Sequence, residues 1–364
     1  MRGRDGTLAL GDQWHSVLSP GRRRRIRTRG RTVAAAALVT LSVASSVTTT
    51  SSAEAARPRP AYAYTANAAS RNLSVVRLDA TAVTGTVPVP NGAEDIALSR
   101  RSGRAYVTGG GRSNRVSVVD TARRRVVGTI RAGQRPMGVA VTGDGSRALV
   151  ANAGSDTVSV IDTRRYKVIR TLHVGDWPRD VAITPDGRRA YVANLKSDSV
   201  SVIDIRRGRV VDTVRFERDI AAYAVAISPD GHRAYVSGGN GVDAVTVIDT
   251  HTNDVVETVQ IPRGAESLVV TPDSSRVYVS GGFLTGDISV IDTDQLVVSH
   301  AFHVPHGAEG MAISTDGTRL YVAGGHDRPW MTLVNAETDR VMRSVRVGRS
   351  PLNIAPDTPQ NPAS

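Results

Sequence analysis

Cysteine is absent from this chain of 364 residues. Its absence excludes disulfides, thiolate metal sites, thiol nucleophiles and covalent haem attachment. Aromatic residues make up only 4% of the sequence. Beyond residue 55, no apolar run reaches the roughly 18 residues that a membrane-spanning helix needs. What remains is a succession of short apolar runs separated by Gly, Asp and Pro clusters, which is typical of many short strands.

Lysine is nearly absent as well. Only Lys167 and Lys196 occur among the 46 basic residues, so arginine supplies almost all of the positive charge. The formal net charge is +12. Such an arginine bias is typical of codon usage in a GC-rich bacterial genome as much as of selection for charge. The basic balance is therefore weak evidence for an anionic partner.

The first 55 residues have the pattern of a secretory signal peptide. A basic segment, Arg22 to Arg31, precedes an Ala/Val/Leu-rich run over 32–47 and the triplet Ala53-Glu54-Ala55. A basic region, a short apolar region and an A-x-A site form such a leader. We assign 1–55 to the signal peptide, 56–60 to a short stiff linker and 358–364 to a C-terminal tail.

This leader predicts a protein that is secreted or held at the cell envelope, with no membrane span once it has been cleaved. We expect the general secretory route, while paired arginines in the leader leave a twin-arginine route open. Retention of the leader as an anchor is the alternative to cleavage.

Two phrases recur along the body of the chain with one period. An apolar-apolar-acid phrase recurs every 41 to 45 residues, and it ends at Asp79, Asp120, Asp162, Asp204, Asp249, Asp292 and Asn335. A Tyr-Val-Ala-Asn type of phrase precedes each one, beginning at Tyr64, Tyr106, Leu149, Tyr191, Tyr235, Tyr278 and Tyr321. Seven copies of about 42 residues indicate a repeat architecture. We interpret the recurring acid as structural, because its carboxylate can accept N–H bonds within the turn that it opens.

Each repeat has room for four short strands, a to d. In the copy around Tyr191 we place strand a at 180–184, b at 189–194, c at 199–204 and d at 209–215. The apolar runs are continuous, which indicates sheets covered on both faces. The predicted fold class is all-β: a seven-bladed β-propeller of four-stranded antiparallel blades over 61–357.

The two ends of the repeat region complement each other. The N-terminal repeat begins at strand b, around Tyr62, and the C-terminus supplies an extra strand a at Leu352 to Ala355. We therefore expect the C-terminal strand to join the N-terminal blade and close the ring. Closure hides the sheet edges that an open array would expose.

The stretch from Arg189 to Asp204 resembles the consensus of the YVTN-repeat family, which includes the YncE-like propellers of bacterial envelope and secreted proteins. The resemblance covers nearly all of the chain after the leader. It implies the propeller fold and carries almost no information about chemistry, because the residues that define the repeat are structural. WD40 repeats fit less well, since their Gly-His and Trp-Asp pairs are missing.

The d–a and b–c loops of a propeller share one face and surround the channel mouth. The residue that enters strand a differs from repeat to repeat: Glu94, Met137, Arg179, Tyr223, Glu266, Glu309 and Leu352. Because the repeats diverge here and agree at their core positions, we expect a specific function at this face. Three of the seven residues are glutamates, each preceded by Gly-Ala.

Loop residues extend this candidate site. The predicted ligand-binding residues are Glu94, Arg179, Tyr223, Glu266, His306, Glu309, His326 and Trp330. Carboxylates around a funnel suit a cationic group, or a hard divalent cation bound through oxygen ligands. Solvated charges lining a wet pore are the alternative interpretation. The motifs assign no catalytic residue, no metal ligand and no cofactor.

The favoured function is a non-catalytic, monomeric, exported propeller that binds a ligand or partner at the cell envelope or outside the cell. One alternative is a metal-assisted hydrolase or lyase, lactonase-like, that uses the glutamates of the mouth and His306. A second alternative is a binder of wall polymer or DNA. It would use arginines on the opposite face: Arg123, Arg124, Arg125, Arg164, Arg165, Arg206, Arg207 and Arg209.

Cleavage of the leader can be tested by intact-mass analysis of the protein purified from its natural host. We expect an N-terminus near Ala56, because the A-x-A triplet ends at Ala55. A product that retains Arg22 to Arg31 would contradict the assignment.

Overall fold

The computed structural model describes residues 61–216, 220–239, 241–282 and 285–357. The predicted signal peptide, the linker and the C-terminal tail lie outside the described residues. The described part of the chain consists of strands and connecting turns without a helix, so no helix in it is long and apolar enough to cross a membrane.

The strands follow one another along the chain as seven sets. The first blade contains β1 (Tyr62–Asn67), β2 (Asn72–Arg77) and β3 (Ala82–Pro88). Blade 2 contains β4 (Ile96–Ser99), β5 (Arg104–Thr108), β6 (Arg115–Asp120) and β7 (Arg125–Arg131). Blade 3 contains β8 (Pro136–Val141), β9 (Arg147–Asn152), β10 (Thr157–Asp162) and β11 (Lys167–His173). Blade 4 contains β12 (Pro178–Ile183), β13 (Arg189–Asn194), β14 (Ser199–Asp204) and β15 (Arg209–Arg215).

The remaining three blades repeat this order. Blade 5 contains β16 (Ala222–Ile227), β17 (Arg233–Gly238), β18 (Ala244–Asp249) and β19 (Val255–Gln260). Blade 6 contains β20 (Ser267–Val270), β21 (Arg276–Ser280), β22 (Asp287–Asp292) and β23 (Val297–His303). Blade 7 contains β24 (Met311–Ile313), β25 (Arg319–Ala323), β26 (Trp330–Asn335) and β27 (Arg340–Arg346). The last strand is β28 (Pro351–Asp357).

The seven sheets confirm the predicted fold class. Each blade is a four-stranded antiparallel sheet in chain order, and blade 1 has the order β28-β1-β2-β3. Strands b, c and d of blade 4 have the predicted bounds, while β12 begins at Pro178, two residues earlier than predicted, and ends at Ile183.

Closure of the ring is confirmed by the pairing of the two ends of the chain. Strand β28 lies antiparallel to β1, with Tyr64 opposite Ala355 and Thr65 opposite Ile354. The innermost strands of neighbouring blades contact one another all the way round, including β28 with both β4 and β24. The C-terminal strand thus completes the ring around the channel.

Four of the repeat tyrosines on strand b, Tyr64, Tyr106, Tyr191 and Tyr278, donate hydrogen bonds to the next blade. The ring of Tyr191 is buried, and its hydroxyl lies 3.1 Å from the carbonyl oxygen of Thr250 in blade 5. The hydroxyl of Tyr278 lies 2.9 Å from the carbonyl oxygen of Ala336 in blade 7 and 2.8 Å from Oδ1 of Asp339. The aromatic ring fills the core between two blades while the hydroxyl satisfies the turn that ends strand c of the next blade.

The recurring acid has the structural role that the sequence predicts. The carboxylate of Asp162 accepts hydrogen bonds from the backbone N–H groups of Arg164 and Arg165 at 2.9 and 3.0 Å. The guanidinium of Arg165 also pairs with it at 2.8 Å. The hydrogen bonds from Arg165 and Arg164 hold the pKa of Asp162 below its ordinary value.

Blade 1 departs from the predicted assignment of this acid. Arg77 pairs with Ala82 in the ladder as Asp120 pairs with Arg125 in blade 2. Arg77 therefore occupies the position that ends strand c, and the assignment of Asp79 to that position is wrong by two residues. Asp79 lies in the turn and pairs with the Arg77 guanidinium at 2.8 Å.

The tyrosine contacts can be tested with two Tyr→Phe variants. Tyr278→Phe removes a hydroxyl whose one proton is shared between two acceptors of blade 7, so the free energy of unfolding should fall by about 1–3 kcal/mol. Tyr321 is the matched control: its hydroxyl is buried without a hydrogen bond of normal geometry among the described residues, although the Arg319 guanidinium is close. Tyr321→Phe should change stability by less than about 0.5 kcal/mol or increase it. Equal losses in urea unfolding would contradict the role of the hydroxyl.

Candidate ligand-binding site at the channel mouth

The seven residues that enter the innermost strands meet around one cavity of about 460 Å³. We call them the channel mouth: Glu94, Met137, Arg179, Tyr223, Glu266, Glu309 and Leu352. The cavity has the size of a small-molecule site. The structure thus brings together, from seven blades, residues that are spread over more than 250 positions of the chain.

Glycines at the end of strand b leave the space that several mouth side chains occupy. A Cβ atom on Gly282 would lie 2.6 Å from Cδ of Glu266, and one on Gly110 would meet the Glu94 carboxylate. A Cβ on Gly239 would likewise meet the ring of Tyr223. The glycines therefore let these side chains lie across the neighbouring loop and face the channel.

Arg179 is held against the ring of Tyr223. Its guanidinium carbon lies 3.8 Å from the ring centroid, and Nη2 donates a hydrogen bond to the Tyr223 hydroxyl. Such stacking fixes the orientation of the guanidinium and leaves its edge for other acceptors. Although burial opposes the charge, Tyr223, Glu94 and Glu309 raise the pKa of Arg179 above its ordinary value. Arg179 is therefore a fixed positive charge in the mouth.

Two of the glutamates, Glu266 and Glu309, are more easily protonated than a free glutamic acid side chain. Burial and the neighbouring Glu266 charge raise the pKa of Glu309 to about 7, and Arg179 opposes this shift. Burial also raises the pKa of Glu266, against the attraction of Arg179 and His326. A cationic group bound beside these carboxylates would favour the ionised form of Glu309 and so increase the negative charge of the mouth.

A cation-flanked tryptophan borders the cavity on the side of blades 3 and 4. The ring of Trp177 has the Arg135 guanidinium 4.7 Å from its centroid and the Lys196 ammonium 3.8 Å from it. Both Trp177 and Arg135 line the cavity. Arg135 and Lys196 bring positive charge to this rim, where Oδ1 of Asp156 also accepts from the Trp177 backbone N–H at 2.8 Å. Glu266 and Glu309 of blades 6 and 7 bring negative charge to the other side.

Two of the eight predicted ligand-binding residues lie outside the cavity lining. His306 and Trp330 stack on each other, with ring centroids 4.6 Å apart and an interplanar angle of 14°. Burial and the Arg328 charge lower the pKa of His306. His326 does line the cavity and is exposed. The stacked pair therefore braces the loops of blade 7 beside the mouth.

A buried layer beneath the mouth escaped the sequence analysis. Asp95 is 9% exposed, and its carboxylate accepts hydrogen bonds from the N–H groups of Ile96 and Val139, both at 2.7 Å. Asn353 of the closing strand donates a third. Burial and the charge of Asp180 raise the pKa of Asp95 to about 7. The layer thus bonds blade 2 to both of its neighbours.

Asp180 repeats this arrangement between blades 4 and 5. Its carboxylate accepts hydrogen bonds from Val181 at 2.8 Å and from Val225 of the next blade at 3.0 Å. The signal in the sequence was an acid or amide directly after the entry residue in three repeats, at Asp95, Asp180 and Asn353.

A family model for the YncE-like β-propeller matches the chain over residues 140–280 and 232–357. The chain belongs to the YncE-like β-propeller family. Among curated proteins, no sequence matches the chain.

Solved structures share the propeller of this family member and differ in function. Hydrazine synthase from Kuenenia stuttgartiensis is 25% identical with a TM-score of 0.64, over 72% of this chain and 89% of that one. A functionally unknown protein from Desulfotomaculum acetoxidans is 16% identical with a TM-score of 0.69, over 82% and 99%. Dihydro-heme d1 dehydrogenase NirN, in complex with DHE, is 15% identical with a TM-score of 0.58, over 79% and 73%. Such varied neighbours show the fold and no particular activity.

The arginines of the opposite face are partly neutralised by the repeat acids. Arg123 pairs with Asp120 at 2.9 Å and Arg207 with Asp204 at 2.8 Å, as Arg165 does with Asp162. These guanidiniums hold turns of the YncE-like propeller together, which weakens the local field that a polyanion would meet. Polyanion binding at this face stays a prediction.

The metal alternative also stays a prediction. In the part of the chain that the structure describes, no three His, Asp or Glu side chains are grouped closely enough to hold a metal ion. A divalent cation at the glutamates of the mouth would therefore require these side chains to move together.

The raised pKa of Glu309 predicts a pH-dependent cost in stability. Its value of about 7 exceeds the ordinary 4.5, so the folded protein holds this proton at pH values where the unfolded chain has released it. The free energy of unfolding therefore falls as pH rises through this window. Glu309→Gln should gain stability over the wild type across it, by at most about 3 kcal/mol.

The measurement is a series of urea-unfolding experiments from about pH 4 to about pH 8. Glu337→Gln is the matched control, because Glu337 is exposed in a turn of blade 7. A stability difference between Glu309→Gln and wild type that does not vary with pH would contradict the assignment.

Proposed function

We propose that this YncE-like propeller is an exported, non-catalytic binding module that holds a small ligand with a cationic group in its channel mouth. The observation that carries the proposal is the convergence of the seven entry residues on one cavity of about 460 Å³. Three of these residues are glutamates, and each comes from a different blade.

The other repeated residues have structural roles, which leaves the entry residues available for a ligand and supports this proposal. Tyr191 and Tyr278 join neighbouring blades, and the acids at the end of strand c hold the turns. Asp95 and Asp180 bond the innermost strands together. The entry residues vary between blades and line the cavity, so selection for a ligand can act on them without loss of the fold.

The charges of the mouth support a cationic group. Burial raises the pKa values of Glu266 and Glu309, so both carboxylates lack full solvation. An ammonium or guanidinium group between the two carboxylates would donate the hydrogen bonds that water donates to an exposed carboxylate. The export part of the proposal rests on the leader sequence over 1–55, as set out above.

Calorimetric titration with a panel of small amines and guanidinium compounds tests the binding function. We expect at least one to bind, and we expect the double variant Glu266→Gln/Glu309→Gln to weaken it at least about tenfold, because charge-assisted hydrogen bonds are lost. The triple variant Arg123→Ser/Arg124→Ser/Arg125→Ser is the control on the opposite face and should bind normally. A panel without any binder, or loss of binding in the arginine variant, would contradict the proposal.

The same material tests the enzyme alternative. A stoichiometric divalent ion in the purified protein that is lost in Glu266→Gln would favour metal-assisted catalysis over simple binding.

A further inference from the structure

Opposite charges share the channel mouth without pairing. Within the described residues, no ion pair within 4.0 Å joins Arg179 to any glutamate of the mouth. The charges still influence one another, because Glu94 and Glu309 both act on the pKa of Arg179. Partly buried opposite charges are normally stabilised by direct contact with each other. Because Arg179 and the glutamates are separated, each can still pair with a charged group of a ligand.

Among the described residues, two buried polar atoms of side chains that line this cavity have no hydrogen-bond partner. They are Nε of Arg179, which is a donor, and Oε2 of Glu309, which is an acceptor. Buried polar atoms in proteins are almost always hydrogen-bonded, and each exception calls for an explanation. A ligand that satisfies both atoms needs an acceptor for the Arg179 donor and a donor for the Glu309 acceptor.

The ring places these two atoms on opposite sides of the channel. Arg179 enters β12 of blade 4 and Glu309 enters β24 of blade 7. In a closed ring of seven blades, blade 7 lies across the axis from blade 4. Arg135 and Lys196 flank Trp177 on the side of Arg179, and Glu266 lies beside Glu309 on the other side. Glu94 of blade 2 lies between them and acts on both Arg179 and Glu309.

We propose that the ligand is a small zwitterion that spans the channel, with a carboxylate at Arg179 and an ammonium group at Glu309 and Glu266. This inference rests on the proposed binding function and specifies its ligand class. The carboxylate accepts from Nε of Arg179, whose Nη2 already donates to Tyr223. The ammonium donates to Oε2 of Glu309.

The walls between the two charged sides suit an aliphatic spacer. Met137, Leu195 and Leu352 line the same cavity. Methylene groups of a linear ω-amino acid can pack against these side chains while its two charged ends reach the opposite sides. A lone amine would leave Nε of Arg179 unsatisfied, and a lone carboxylate would leave the glutamates without a counter-charge.

The test compares ligands of matched length on the wild-type protein. Calorimetric titrations use ω-amino acids from glycine to 6-aminohexanoate, together with the alkylamine and the alkyl carboxylate of each length. The best zwitterion should bind at least about tenfold more tightly than its amine or its carboxylate analogue, equivalent to about 1.4 kcal/mol. Because this comparison needs no variant, it is independent of how substitutions affect folding.

Two variants then assign the ends of the ligand. Arg179→Gln should abolish the advantage of the zwitterion over the matched amine, so that the two bind within about twofold of each other, and Glu309→Gln should weaken both. Arg179→Lys keeps the charge, loses the Nε donor and should fall between wild type and Arg179→Gln. Circular-dichroism melting confirms that each variant is folded.

The outcomes separate the two proposals. Amines that bind as tightly as zwitterions at every length would overturn the zwitterion and leave the cation-binding function intact. Carboxylates that bind best, or a complete lack of binding by zwitterions and amines, would overturn both.

Discussion

The structure depends on the packing of seven innermost strands around one axis. The ring closes only because β28, from the C-terminal end of the repeat region, takes the innermost place in blade 1 beside β1. The approach of neighbouring strands is close: a Cβ on Gly138 would lie 2.7 Å from the Cα of Asp180 in the next blade. Each blade therefore contributes one entry residue to the channel mouth, and loop residues such as Trp177 and His326 complete the lining.

Closure also determines the chemistry around the axis. Asn353 of β28 donates to the carboxylate of Asp95, which in turn accepts from Val139 of blade 3. Three blades are joined through this one carboxylate. Loss of β28 would remove Leu352 from the mouth and a hydrogen-bond donor from Asp95, so the fold and the candidate site depend on the same strand.

The repeat period made the fold predictable, because two phrases with one spacing require a blade per copy. The entry residues were also predictable, since their place before strand a is fixed by the same period. The register of blade 1 was not predictable, because Arg77 stands at the position of the repeat acid and another acid, Asp79, follows two residues later.

Contacts between blades lay beyond the sequence for a physical reason. The bond from Tyr278 to Ala336 joins residues 58 positions apart, and only the curvature of the ring brings them together. The same holds for the stacking of Arg179 on Tyr223, which lie 44 positions apart, and for the stacking of His306 on Trp330 away from the cavity lining. The repeat period specifies the position of each residue on its strand. It does not specify which residue of the next blade the side chain contacts.

Unpaired charges in the mouth cost stability, and the rest of the ring makes that cost tolerable. The cross-blade bonds of Asp95, Asp180 and the repeat tyrosines fix the backbone on both sides of the channel. Arg179 cannot approach Glu309 without breaking its stacking on Tyr223 or bending an innermost strand. A ligand therefore meets charged groups that are already positioned, so little conformational entropy is lost when it binds.

Binding in turn supplies the buried carboxylates with a counter-charge in place of the water that they lack. The propeller with a ligand should therefore be more stable than the empty one. The rigid ring is therefore what keeps the opposite charges of the mouth apart and available to a ligand.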